Sequence, residues 1–286
     1  MFAPPATAQT CDQPGPAISG NWVITSAQVC TGIVYTVDGS ITVGAGGSLT
    51  LTNGGFKFTE DTTHIYSLTV TAGRPFILDN SIITTEPRSL NAYVKLSMHV
   101  AGIFTMRNNA IVKFPGVLDA SAGASITIDH STITGFTTAE VTQWMGAIAA
   151  EDNNDAPTLT FVSTTVDVYN SRIERLFEDA AGGPPSPRAI ITLSGNTVLT
   201  AINSYIGVDF SPLSYQHNEI DASGTSQANL VGVTIDQVQS DAAGVDAWIP
   251  PFVPVGGSSS NFNFYRWLDV FVTDNTGIPA SGAGVW

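Results

Sequence analysis

Few side chains in this chain could do chemistry, and the densest group lies between residues 140 and 188. Asp152, Asp155 and Asp167 are followed by Arg172 and Arg175. Carboxylates can take or give a proton, and a guanidinium can hold a developing anion, so this set has the types needed for acid–base cleavage of a polymer. The run Glu151-Asp152-Asn153-Asn154-Asp155 is also rich in oxygen ligands, and calcium is the one cofactor the sequence admits. Its spacing matches neither an EF-hand nor a glycine-aspartate repeat, so the bland reading is a solvated turn. His64, His99, His130 and His217 are scattered, and no Gly-x-Ser-x-Gly elbow or phosphate-cradling loop occurs. No catalytic residue and no metal ligand is assigned on this basis.

Two cysteines, Cys11 and Cys30, stand 19 positions apart near the amino end. An even count in a low-charge chain predicts one disulfide closing that end; the alternative is a pair of buried thiols. Without a nearby histidine they cannot complete a tetrahedral metal set.

The elements that would position these groups are announced by a repeat that reads apolar, x, apolar, x, Asn, x, x, apolar. Phe104, Met106, Asn108 and Ile111 fill it, as do Leu49, Leu51, Asn53 and Phe56, then Phe76, Leu78, Asn80 and Ile83. Further copies centre on His130, Asn170, Asn203 and His217, the last being Leu213, Tyr215, His217 and Ile220. Alternating apolar residues make a strand with one buried face, and the apolar residue after the gap starts another strand facing the same interior. The polar residue between them is a corner, where asparagine tolerates a left-handed backbone and its amide can bond to its counterpart one turn away. Asn53, Asn80, Asn108, His130, Asn170, Asn203 and His217 are therefore read as a corner ladder. Their separations run from 14 to 40 residues, which suits coils of about twenty residues carrying loops of varied length.

The predicted fold is all-β: a right-handed parallel β-helix with an amino-terminal cap and a carboxyl-terminal β extension. The expected units are a cap over 1–36, the solenoid over 37–247, and a linker with a strand pair over 248–286. The segment with Val37, Gly39, Ile41, Val43, Gly46-Gly47, Leu49, Leu51 and Asn53 resembles the first coils of secreted or cell-surface right-handed parallel β-helix proteins of bacteria and archaea. In β-helix polysaccharide lyases and glycosidases, chemistry sits on one face of the middle coils, which is what the resemblance would imply for Arg172, Arg175 and the nearby aspartates. Val272, Asp274, Gly277, Pro279, Gly282, Ala283 and Val285 are similar to the opening of an immunoglobulin-like or carboxypeptidase-regulatory-like β-sandwich.

Composition narrows the function classes. Ten Lys plus Arg against 24 Asp plus Glu give a formal charge of −14, which repels a phosphate backbone, so nucleic acid is not an expected partner. No apolar run reaches the length that spans a bilayer, so membrane insertion is not expected either. Charged residues make up only 12% of the 286. The leading expectation is an extracellular or cell-surface structural protein that associates with copies of itself head to tail, with Trp267, Val270, Val272 and Val285 as the self-association residues. The alternative is a carbohydrate-active enzyme, or a glycan-binding or adhesin module, on the same fold.

Overall fold

A computed structural model describes residues 11–13, 15–61, 63–89, 96–114, 116–136, 140, 157–175, 190–208, 220–235 and 261–265. Alternation of apolar and polar residues over short runs yields 26 strands among them, stacked into three parallel sheets of nine, eight and nine strands. Among the described residues each of the first eight turns adds one strand to each sheet in the same cyclic order. One coil, for example, gives Gly55–Glu60 to sheet B, Ser67–Val70 to sheet C and Pro75–Asp79 to sheet A. Pairing three apart in sequence order, parallel throughout, is the topology of a right-handed parallel β-helix.

Side chains of like character lie over one another because the register never slips. In sheet A, Leu49, Phe76, Phe104, Ile126, Val166 and Leu199 form one inward row, all essentially without solvent exposure. Phe76 and Phe104 stack with ring centroids 5.3 Å apart. Sheet C contributes Ile41, Leu68, Met98, Leu118 and Leu159, while His99, between Met98 and Val100, faces out. Burying each such aliphatic or aromatic side chain is worth about 1.5–3 kcal/mol, and the filled row repeats in every coil.

The amino end is closed by the segment at residues 11–13. Cys11 and Cys30 form a disulfide, and Cys30 occupies the inward position that Leu51 fills in the next coil. Gln28 sits inward where Leu49 follows and is 1% exposed. Its amide is satisfied: the Asp12 backbone N–H donates to its Oε1 at 2.7 Å, and its Nε2 donates to Asp12 Oδ2 at 2.6 Å and Ser26 Oγ at 2.8 Å. The strands Ala17–Ser19, Trp22–Ile24 and Ala27–Thr31 already pair in parallel with the next coil, so the solenoid begins within the 1–36 segment.

The three corners differ. From sheet A to sheet B the connection is two residues in nearly every coil: Asn53-Gly54, Asn80-Ser81, His130-Ser131, Asn170-Ser171 and Asn203-Ser204. From sheet C to sheet A it is two to four. From sheet B to sheet C it varies from Gly39-Ser40 to the long stretches 135–157 and 176–190, so the long connections of the first eight coils all fall between these two sheets. Among the described residues no helix is long and apolar enough to cross a membrane.

One coil departs from the repeat. Both Asn108 and Asn109 have positive φ, 57° and 65°, so this corner holds an extra residue. Ile111 is consequently turned outward, 37% exposed, and Val112 takes the inward place between Ile83 and Ile133. The assignment of Ile111 as the buried member is corrected by that one inserted residue, since a shift of one reverses every facing in a strand. Ile111→Thr is expected to change stability by no more than about 0.5 kcal/mol, and Val112→Thr to cost about 1–3 kcal/mol by burying a hydroxyl. Urea unfolding of the two variants tells the facings apart.

Candidate functional site

The A-to-B corner is built from the backbone outward. Asn53, Asn80, His130, Asn170 and Asn203 all hold φ between 45° and 53°, a conformation that asparagine tolerates. Their N–H groups donate to the carbonyls of Asp79, Arg107, Tyr169, Ile202 and Val231 on the following coil, at 2.9–3.1 Å. In the first and last coils the same place is held by Gly32 and Gly232, with φ of 74° and 59°. An asparagine-or-histidine pattern cannot find them.

Beneath this line runs a second one that the repeat did not reveal. Ser81, Ser131, Ser171 and Ser204, each next to its corner residue, are buried. Ser171 Oγ accepts the Ser131 N–H at 3.0 Å and donates to the Tyr169 carbonyl at 2.6 Å, and Ser204 Oγ accepts the Ser171 N–H at 3.2 Å. The recurring Asn-Ser or His-Ser dipeptide was the available signal. By contrast, the side-chain amide ladder is short: Asn80 Nδ2 donates to Asn53 Oδ1 at 2.7 Å, and Asn108 Nδ2 turns to Asp79 Oδ1 at 2.8 Å.

His217 lies outside the described residues, yet Ile220, the residue its copy ties to it, pairs with Ile191 in sheet C. In that coil an A-to-B corner falls at Gly232, after Ala228 and Leu230 and before Ile235.

A groove of about 690 Å³ follows this corner from Asn109 to Gly232. One wall is the corner itself, His130, Asn170 and Asn203 over their serines; the other is the outward row Ile111, Thr132, Arg172, Tyr205 and Thr234 of sheet B. The Arg172 guanidinium lies 3.9 Å from the Tyr205 ring centroid, and its Nε bonds to the Glu174 carboxylate two residues along the same strand. Glu174 is 8% exposed.

The B-to-C edge carries a charged network at its first insertions. Arg88 reaches back across coils to bond Asp38 and Tyr66 Oη, the latter at 2.7 Å, and Tyr66 also donates to Asp38. Asp61 accepts from the Thr63 hydroxyl at 2.8 Å, the Thr63 N–H at 2.7 Å and the His64 N–H at 2.8 Å. The Thr63 hydroxyl first, then these other donors, hold its carboxyl well below the usual carboxylate range. A carboxylate so committed is an anchor for the 61–66 turn and no proton donor at neutral pH. On sheet C, His99 Nδ1 and Asp119 Oδ2 are 3.7 Å apart on neighbouring coils, too far for a hydrogen bond.

Of the residues considered for polymer cleavage, Arg172 and Arg175 stand on one strand of sheet B, whereas Asp167 faces out from the middle of a sheet A strand, across the Asn170 corner. The fold does not bring them to one face. Asp152 and Asp155, with the calcium reading they supported, lie outside the described residues, as do Trp267, Val270, Val272 and Val285. Among the described residues no three of His, Cys, Asp and Glu are grouped to hold a metal ion. No family model, curated protein or solved structure matches this chain.

Two outcomes follow for the corner. Ser171→Ala is expected to cost about 1–3 kcal/mol, because the buried Ser131 N–H loses its acceptor, with the loss read from a thermal or urea transition. Asp79 is held below its usual range by the Asn108 amide and then by Arg107. A group with a depressed folded pKa stabilises above its unfolded value of about 3.9 and loses that contribution as pH falls through the folded value. Asp79→Asn is thus expected to be less stable than the parent by about 1 kcal/mol or less at pH 7, the pair being partly exposed. That gap is expected to close below about pH 4 in parallel urea melts.

Proposed function

We propose that this chain is an extracellular structural protein that associates with copies of itself by exchanging its last strand. The observation that carries the reading is Asn261–Tyr265. It joins sheet A in parallel register on Gln227–Val231, with Phe262 over Ala228 and Phe264 over Leu230, and Gly232 N–H donates to the Tyr265 carbonyl at 2.9 Å. Asn263 Nδ2 donates to Asn229 Oδ1 at 2.9 Å. Elsewhere in sheet A a strand follows its own coil's sheet C strand after a short corner, whereas here 25 residues, 236–260, separate it from the preceding described strand.

A strand 25 residues beyond the preceding described strand can make the same hydrogen bonds with its own last coil or with that of a neighbour. Concentration then decides between the two, which is the condition for strand exchange. Trp267, Val270, Val272 and Val285 follow Tyr265 in the sequence and, on this reading, belong to the exchanged segment. The disulfide at the other end fits an oxidising compartment, and the scarcity of charge fits a protein that works by packing.

The test uses the outward, in-register pair Asn229 and Asn263. The native cysteines are both in the disulfide, so no other thiol competes. Asn229→Cys and Asn263→Cys proteins carrying different tags, mixed and oxidised, are expected to form a disulfide between chains, with particle size rising with concentration in light scattering. A species that stays monomeric at every concentration, cross-linking only within one chain when both substitutions are combined, would overturn the proposal.

A further inference from the structure

We infer that buried serines of the A-to-B corner protect the asparagines of the coil before them from deamidation, and that Asn80, with no such serine opposite, is a site of this modification. The first observation is where the reactive pairs lie. The one Asn-Gly and all three Asn-Ser dipeptides of the chain stand at this corner: Asn53-Gly54, Asn80-Ser81, Asn170-Ser171 and Asn203-Ser204. A small residue after asparagine leaves its own backbone nitrogen room to attack the side-chain amide, so these are the pairs most prone to lose ammonia.

The reaction has a requirement that the fold controls. The backbone nitrogen after the asparagine bonds to Cγ, its proton passes through solvent to the departing Nδ2, and ammonia leaves as the Cγ–Nδ2 bond breaks. Water then opens the five-membered imide to aspartate or isoaspartate. The attacking nitrogen must therefore be able to release its proton. The four asparagines are exposed, so water reaches the amide, whereas Gly54, Ser81, Ser171 and Ser204 are buried.

Hydrogen bonding separates these otherwise similar sites. The Gly54 N–H donates to Ser81 Oγ at 3.0 Å, and the Ser171 N–H donates to Ser204 Oγ at 3.2 Å. Each of these hydroxyls gives its own proton to a carbonyl of its own coil, Asp79 and Ile202, both at 2.8 Å, which leaves its oxygen to accept from the coil before. The nitrogens beside Asn53 and Asn170 must break a buried bond before they can react. Opposite Ser81, one residue before the paired Ile82 and Ile111, stands Ala110, which has no hydroxyl to offer. The bond from Asn80 Nδ2 to Asn53 Oδ1 engages both side chains and does not decide between them. Isoaspartate would add a main-chain carbon to the bend whose length keeps the coils in register.

Peptide mass spectrometry of the whole chain, incubated in mildly alkaline buffer either folded or in urea, tests this. In urea Asn53 is expected to lose its amide first, as an Asn-Gly pair. In the folded chain Asn80 is expected to react ahead of Asn53 and Asn170 by about tenfold, the weight of one such hydrogen bond. Ser81→Ala is expected to speed loss at Asn53 by a similar factor and leave Asn170 unchanged, and Ser204→Ala to do the reverse. Ser171→Ala removes an equivalent bond, to the Ser131 N–H, where a histidine precedes, and Asn53 should not respond. A merely loosened fold would speed every site together. The same order in buffer and in urea, an Asn80 that survives in the folded chain as Asn53 does, Asn53 unmoved by Ser81→Ala, or a rise at all sites alike would each overturn the inference. The order in the parent needs no substitution, so it decides the matter even where a variant fails to fold.

Discussion

The structure depends on the two-residue turn from sheet A to sheet B. It must redirect the chain in the smallest space while leaving every coil the same length at that point, and it does so with one residue of positive φ followed by one small buried residue. The first donates its N–H forward to the next coil. The second uses a hydroxyl to receive an N–H from the coil before. Both orphaned backbone donors of a sharp bend are thereby satisfied inside the stack, which is the general requirement for burying irregular backbone. Rows of apolar side chains register over many coils because this bend recurs, with the one added residue at 108–110 absorbed inside the bend.

The distribution of insertions follows from the same constraint. An added residue at the A-to-B bend has to be absorbed by a second left-handed residue, as at Asn109, whose N–H donates to the His130 carbonyl, whereas the B-to-C connection is not tied in this way. There Gly39-Ser40 suffices in one coil, the 61–66 turn is pinned by Asp61 and Arg88 in the next, and long stretches leave further on. The solenoid therefore has a smooth edge and a decorated edge. The groove follows the first.

Much of this was legible in the residues. Alternation with asparagine at the break identified the coils, because strand periodicity and left-handed tolerance are local properties of side chains. What escaped was whatever the side-chain alphabet hides. Gly32 and Gly232 reach the same backbone conformation without an amide, so they left the pattern. Ser81, Ser131, Ser171 and Ser204 look like ordinary surface serines until the coils are stacked. Ile220 belongs to sheet C, and two alternations look alike until strand pairing assigns a sheet. As for the site, Arg172 stood out by charge, but its relevant neighbour Tyr205 is 33 residues away, one coil further on, and is brought to it only by register.

The paired asparagines at 108 and 109 carry a wider consequence. Strand facing is a matter of parity: an odd addition inverts inside and outside for everything after it. Here the inversion is cancelled within a single bend, and Val112 re-enters in phase with Ile83 and Ile133. A stack with one tolerated odd step can survive the gain or loss of single residues in its descendants, provided the change falls where a second left-handed residue can absorb it. Coil sequences of this kind can therefore drift in length as well as in letter while the rows inside remain aligned.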